Sequence, residues 1–370
     1  FRGMRQSLMN TFTDIYILNL HGNAKKKEVA PDGGKDENVF DIQQGVAICL
    51  LVKEPDNTEP ARVHYSELWG IREGKYQTLS EVDVKDTEWD ELEPHSPHYL
   101  FVKRDETDLA EYMKGWKVTD VFPINSVGIV TSRDDFVLDF NDKVLRNRIE
   151  EFRENSLSGG EIRDKYELKD NKGWNVADAR MQIRKDNDYQ KAFTKCLYRP
   201  FDIRPFFYHK AVIERSRPEV MRHMLAGENF GFCTNRQIKG DFHHVIVTKG
   251  IVDFHIFETA HAAPYLFPLY LYPAEGEMQF DGGHRRPNLN PEFIKAVSDR
   301  LGLKFIEDGK GDFEQTFGPE DIFNYAYAVF HSPTYRTRYT EFLKIDFPRL
   351  PLTSDKKLFE SLAAKGAEMV

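Results

Sequence analysis

The chain has 370 residues, of which 40% are hydrophobic and 30% charged, with 51 Lys and Arg against 60 Asp and Glu and a formal net charge of −9. That length supports two packed cores, or three, and no window approaches the ~20 consecutive apolar residues of a membrane helix. The charge counts against a small, purely electrostatic DNA binder, which is usually basic, although a large acidic enzyme can still present one local basic face.

Phe1 to Phe12 reads as an amphipathic helix, with Met4, Leu8 and Phe12 at helical spacing. It carries no apolar core of signal-peptide type and starts on Phe rather than Met, so the sequence is expected to be a piece of a longer chain. Asp14 to Leu20 reads as a buried strand. A polar loop from Ala24 to Asn38 follows, then a second buried strand, Val46 to Lys53, and a third, Arg62 to Tyr65, ended by a turn near Gly70. Helix, apolar strand, long loop and apolar strand suggest one edge of an α/β sheet. Thr78 to Ser96 is an acidic excursion. After Tyr99–Val102 and a short helix at Leu109–Met113 the character changes, which places a domain boundary near Gly115.

Beyond it, Gly128–Thr131 and the alternating Phe136–Phe140 read as strands, and Lys143–Arg153 as a charged, solvated helix. Tyr198 to Pro273 is dense in aromatics, short strands and turns. From Pro291 the sequence turns helical, at Phe293–Leu301, Pro319–Phe330, Tyr339–Leu343 and Lys356–Ala364. Cys49, Cys196 and Cys233 lie far apart in apolar or aromatic surroundings. That excludes a zinc knuckle and a dense disulfide framework and fits buried thiols in a reducing cytoplasm.

General catalytic signatures are missing. There is no Walker loop, no Gly-x-Gly-x-x-Gly turn and no His-Glu-x-x-His. His243, His244, Asp253, His255 and His261 form a loose cluster of metal-ligand types, but no spacing matches a known geometry, and satisfied or outward-facing histidines are the plainer reading. Asp56, Glu73 and Lys75 imitate a nuclease pattern. Both acids sit in turns, however, where that chemistry needs adjacent strands, so the match reads as chance.

Four segments join arginine to amides, hydroxyls and aromatics: Thr131–Asp134 with Arg133, Arg215-Ser216-Arg217, Thr234–Lys239 with Arg236, Gln237 and Lys239, and Tyr335–Tyr339 with Arg336 and Arg338. Arg bidentate to guanine and Gln to adenine are the pairs that read base edges, while Lys, Ser, Thr and Tyr serve phosphates. Any one of these arginines alone reads more simply as a surface ion pair; the segments gain meaning only if they converge. Tyr198–Tyr208 is the most aromatic stretch. It offers stacking faces for extruded bases, but Phe201, Phe206 and Phe207 read first as core, with Tyr208 left open.

Taken together, these segments resemble the single-chain Type ISP restriction–modification enzymes and related fused methyltransferases of the adenine amino-group class. The resemblance rests on Asp14–Asn23 (DIYILNLHGN), Asn38–Ile48 (NVFDIQQGVAI), Tyr198–Asp202 (YRPFD) and Phe267–Pro273 (FPLYLYP). Its most specific part is Ile322–Pro333 (IFNYAYAVFHSP) running to Phe342–Pro351 (FLKIDFPRLP). It implies an α/β or α+β fold: the remnant of a Rossmann-like methyltransferase sheet over residues 1–115, then a mixed β-rich target recognition domain with C-terminal helices over 116–370.

The family's Gly-rich cofactor turn and its Asn-Pro-Pro-Tyr motif do not occur here; by the family's order both lie upstream of Phe1. The resemblance therefore implies sequence-specific recognition of double-stranded DNA, with no cofactor, ATP or catalytic metal bound by this piece. S-adenosylmethionine, adenine methylation and the upstream methyltransferase, motor and nuclease domains belong to the intact enzyme. Phe40 matches the family's aromatic residue that packs on a flipped adenine, which needs a new stacking neighbour once extruded; an ordinary core Phe leading into a strand is the competing reading. Two rival functions are a stand-alone metal-dependent nuclease or hydrolase on the Asp56 or His243 groups, and an acidic protein-interaction module.

Overall fold

The helical spacing at the start of the sequence produces α1, Arg2–Thr11, whose Leu8 and Met9, with Phe12 just beyond, pack on Ile15, Val63 and Phe101. Ile15 and Val63 belong to a sheet of β1 (Asp14–Asn19), β2 (Ala47–Val52), β3 (Arg62–Glu67) and β4 (Asp90–Leu92), in the order β2–β1–β3–β4. β1 runs parallel to β3 and antiparallel to β2, with Ile15 opposite Val63 on one side and Leu51 on the other. Between β3 and β4 the chain forms α2, Arg72–Glu81, where the sequence suggests only a turn between glycines. The computed structural model describes residues 1–55, 59–154, 156–257, 263–274 and 285–370. These form two units, Phe1–Asp105 and Glu106–Val370.

β2 departs from expectation. The run of apolar residues reads as a buried strand, yet all six positions are exposed, Cys49 among them. A strand sends alternate side chains to opposite faces, so exposure at every position means that neither face is covered. Among the described residues β2 has a hydrogen-bonded neighbour, β1, on one edge alone.

The second unit contains β5 (Ser126–Val127), α3 (Asp142–Arg153), α4 (Gly159–Lys165), α5 (Val176–Lys185), β6 (Phe193–Arg199), β7 (Asp202–Phe207) and α6 (Pro218–Leu225). These are followed by β8 (Gly231–Asn235), β9 (Val245–Thr248), β10 (Ile251–Val252), β11 (Pro264–Pro268), α7 (Pro291–Leu301), α8 (Pro319–His331) and α9 (Lys356–Met369). One sheet has the order β9–β8–β11–β5 and another the order β10–β6–β7. With its separate small sheets and helices the fold is α+β.

α8 is buried from Pro319 to Phe330 except at Glu320, as expected of a helix that is mostly apolar beyond its first turn. Pro319 occupies its first turn, where a missing N–H costs nothing. Asp321 ties that end down, accepting from Gly318 N at 2.8 Å and Gly311 N at 2.7 Å. α9 crosses α8 at Gly366; a Cβ there would lie 1.9 Å from the Asn324 carbonyl oxygen, so only glycine permits the approach. A second cluster holds Phe136, Phe152, Phe206 and Phe207. Phe136 and Val137 are buried consecutively, in a helical turn at Asp134–Val137 rather than the alternating strand the sequence suggests. Thr131 Oγ1 donates to the Asp134 carboxylate and starts that turn. Among the described residues no helix is long and apolar enough to cross a membrane.

Candidate nucleic-acid interface and base-stacking loop

Register places several connections at one end of the β9–β8–β11–β5 sheet. Asn235, the last residue of β8, sits opposite Pro264, the first of β11. Val127, the last of β5, pairs with Tyr265, and Gly128 N donates to Pro264 O at 3.1 Å. The segments starting at Gly128 and at Arg236 therefore leave the same end of the sheet. The first of these recruits a third: Val130 and Arg215 exchange backbone hydrogen bonds of 3.1 and 2.9 Å. Two of the arginine-bearing segments, Thr131–Asp134 and Arg215–Arg217, thus lie side by side.

The loop after β8 is held by Ile238, which is buried, and by Ile238 N donating to Lys344 O at 3.4 Å. Arg236, Gln237 and Lys239 on either side of it are exposed. Arg236 Nε lies 3.0 Å from Asp346 Oδ1 while half of its side chain stays in solvent. Burial pushes the Asp346 carboxyl up, but Lys117 and Arg236 together pull it below the usual range. The ion pair orients Arg236 without hiding it. Arg215 is likewise exposed, 4.0 Å from Glu214. Arg217 takes φ 53° ahead of α6, and its Nε is buried with no hydrogen-bond partner among the described residues.

Three of the arginines expected at DNA already have partners within this chain, Arg133 and Arg336 partly buried and Arg338 still exposed. Arg133 lays its guanidinium 3.6 Å from the Trp174 ring centroid and donates to Thr131 O at 3.2 Å and Val212 O at 3.4 Å. Arg336 Nε caps the Phe330 carbonyl at 2.7 Å, and its Nη2 meets His331 Nδ1 at 3.1 Å. Arg338 is neutralised by Asp108 at 2.8 Å and Glu111 at 2.5 Å. A guanidinium already satisfied by carbonyls or carboxylates has few donors left for a base edge.

In the first unit, Phe40 is 58% exposed, so the core reading does not hold for it. Its ring lines a concavity of about 520 Å³ together with Gly22, Asn38, Asp41, Arg72 and Glu73. The backbone beneath is clamped by α2. Lys75 donates to Glu37 O at 2.7 Å, Arg72 to Asn38 O at 2.7 Å and to Phe40 O at 3.1 Å, and the Tyr76 hydroxyl to Val39 O. Four successive carbonyls are therefore bound by three side chains of one helix. Asn38 closes the loop from within, accepting from Phe40 N at 2.9 Å and donating to Gln44 O at 2.7 Å. Sequence reading missed this clamp because α2 reads as a turn; the signal is Arg72, Lys75 and Tyr76 at i, i+3 and i+4, one helix face.

The metal readings gain no support. Among the described residues no group of three or more His, Cys, Asp or Glu can hold an ion. Lys75 pairs with Asp36, not Glu73, and Asp253 pairs with Arg199 at 2.9 Å. Asp56 and His261 lie outside the described residues. At the first unit's strand-to-helix connection, β3 to α2, Glu37 Oε2 accepts from Arg72 N at 3.0 Å.

Residues 120–370 match the family model of the Type ISP C-terminal specificity domain. No curated protein matches the chain. Among solved structures it is similar to DrdV in a cryo-EM complex with DNA, at 25% identity and TM-score 0.65, over 100% of this chain and 36% of that one. It is similar to a nuclease-deletion mutant of the Type ISP restriction–modification enzyme LlaGI with a DNA substrate mimic, at 20% identity and TM-score 0.60, over 98% and 28%. The ATP-dependent Type ISP enzyme LlaBIII bound to DNA matches at 21% and 0.64, over 99% and 24%. The chain spans between 24% and 36% of the length of these proteins, and with LlaGI and LlaBIII the likeness is one of fold.

Proposed function

The chain belongs to the Type ISP family, whose C-terminal specificity domain it carries over residues 120–370, and from that membership we propose that it reads a base sequence in double-stranded DNA for a restriction–modification enzyme. The family match is the observation that carries this reading. DrdV, LlaGI and LlaBIII, which share the fold, were each solved with DNA or a DNA mimic. The geometry suits this role. Arg236, Gln237 and Lys239 stand exposed on a loop anchored by Ile238, beside the sheet end from which the segment to Arg133 also leaves. Rigid scaffolds that carry polar loops are the usual form of such sites.

In the parent enzyme the first unit would serve adenine methylation. Phe40 offers a ring for the extruded base, and α2 keeps its loop in place. S-adenosylmethionine would be held by residues outside this chain, together with the methyltransferase, motor and nuclease parts of the same protein. No step of methyl transfer is assigned to this chain's own residues.

The test is selection of duplexes from a randomised pool by the chain, followed by anisotropy titration. One sequence should be enriched, and affinity should fall steeply as salt rises, because bound phosphates release counterions. A chain that retains no duplex even at low salt refutes the reading.

A further inference from the structure

The β6–β7 hairpin has a buried base and a bare tip. Phe206 and Phe207 are fully buried, whereas Phe201, at the turn, is 92% exposed. The sequence reading places all three in the core. Phe201 also takes φ 64°, a left-handed conformation that is a true outlier for a bulky residue. Pro followed by a positive-φ residue is the turn that accepts Gly or Asn at the second position. The fold therefore bears two penalties at one residue, a strained backbone and an apolar ring in water, and neither helps the hairpin stand. An outlier of that kind is a reason to look for function.

Behind the tip the hairpin is rigid. Arg199 lies 2.9 Å from the buried Asp253, and Tyr198 donates to Asp134 at 2.9 Å. Arg204 pairs with Asp202 at 2.6 Å and is sandwiched between Phe140, at 4.0 Å, and Tyr198, at 4.4 Å. The Asp134 contact fixes the hairpin to the Thr131–Asp134 segment, which leaves the reading end of the sheet. The ladder shifts register between Leu197 and Arg199, and a bulge of that kind re-aims the residues beyond it.

We propose that Pro200 and Phe201 form a wedge that enters the base stack of the bound duplex, with Phe201 inserted between adjacent base pairs. This rests on the DNA reading above and adds to it a sequence-independent contact. A single ring on a two-residue tip offers far less area than a stable protein partner needs, but a base step needs only one flat apolar face. Phe and Pro are among the side chains that wedge base steps apart, and the unstacking is offset by the bend that brings more surface into contact. A two-stranded ribbon is also narrow enough to follow a DNA groove.

The test uses the whole chain and a duplex carrying 2-aminopurine, with wild type, Phe201→Asn and Phe201→Tyr compared. Asn suits the left-handed turn, so its Tm should equal or exceed that of wild type. Wild type should raise the 2-aminopurine fluorescence, because an unstacked base is no longer quenched. Phe201→Asn should lose that rise and bind about ten-fold more weakly, while Phe201→Tyr should restore both. Phe201→Asn binding as tightly as wild type with the same fluorescence overturns the wedge and leaves DNA recognition standing. Lost binding that merely tracks a fall in Tm also overturns it. Failure of wild type to bind any duplex overturns the DNA reading and the wedge with it.

Discussion

Lys75 Nζ lies 2.6 Å from Asp36 Oδ1, with both side chains sealed from solvent. The ammonium has two further acceptors, Leu20 O at 2.8 Å and Glu37 O at 2.7 Å. Asp36 in turn accepts from Gly22 N at 2.6 Å and Gly70 N at 3.0 Å. The pair therefore joins three loops at the root of the segment that presents Phe40. Removing one partner strands the other charge in the interior, a loss of about 3–5 kcal/mol. Lys75→Met should loosen residues 36–44 and speed their amide exchange. Unchanged exchange across that segment would show that the pair is dispensable.

Exposed and spent arginines should separate in DNA binding. Arg236→Ala removes a half-exposed side chain placed to read a base, so the selected sequence should change at one position, by about 1–3 kcal/mol of discrimination. Lys239→Ala should weaken all duplexes evenly and lower the salt slope by about one. The same selection and titration measure both. A preference untouched by Arg236→Ala removes that residue from the reading surface.

Arg336→Ala should behave oppositely. It uncovers the Phe330 carbonyl at the end of α8 and leaves His331 without its guanidinium neighbour. Losing such a bond costs about 1–3 kcal/mol, so urea unfolding should shift while the salt slope of DNA binding stays as in wild type. A reduced slope at full stability would place Arg336 on the DNA after all.

Acid should weaken the second unit before its carboxylates titrate. Burial, with the nearby charges of His243 and Arg336, lowers the His244 pKa from 6.5 to about 4. Below the ordinary value the unfolded ring takes up a proton that the folded one refuses, so stability is present above pH 6.5 and is lost as pH falls toward 4. Burial depresses His331 and His209 in the same direction. Chemical unfolding at a series of pH values should show this slope, reduced in His244→Gln. An identical slope in the variant would assign the effect to other groups.

The bare β2 strand should make the chain sticky. Ile48, Leu50, Leu51 and Val52 are each about two-fifths exposed, on a strand with one edge unpaired among the described residues, the arrangement that invites edge-to-edge pairing. Leu50→Lys should reduce concentration-dependent association in light scattering without moving duplex binding. A wild-type chain that stays monomeric at high concentration would contradict this.

Much of the architecture was legible in the residues. The spacing of Met4, Leu8 and Phe12, the apolar runs of β1 and β2 and the mostly apolar α8 fall where local pattern puts them, because periodicity reflects which faces a backbone can bury. Pattern failed at α2, whose start falls between Gly70 and Gly74, and at Phe136–Phe140, where a Thr131–Asp134 contact turned an alternating run into a helical turn. It also failed on burial: β2 and Phe201 are apolar and exposed, and hydropathy cannot tell a residue that is covered from one that awaits a partner.

What the sequence determined by itself was the family, most of the elements and which side chains are of the types that touch DNA. Which of them remain able was decided only in three dimensions. Arg236 and Arg336 look alike in the sequence, each in a short segment with amide or hydroxyl neighbours. One meets a carboxylate and keeps half its surface in solvent, the other is drawn onto a helix-terminal carbonyl. A guanidinium's freedom depends on acceptors delivered by distant segments, and that delivery is a property of packing rather than of the chain's local order.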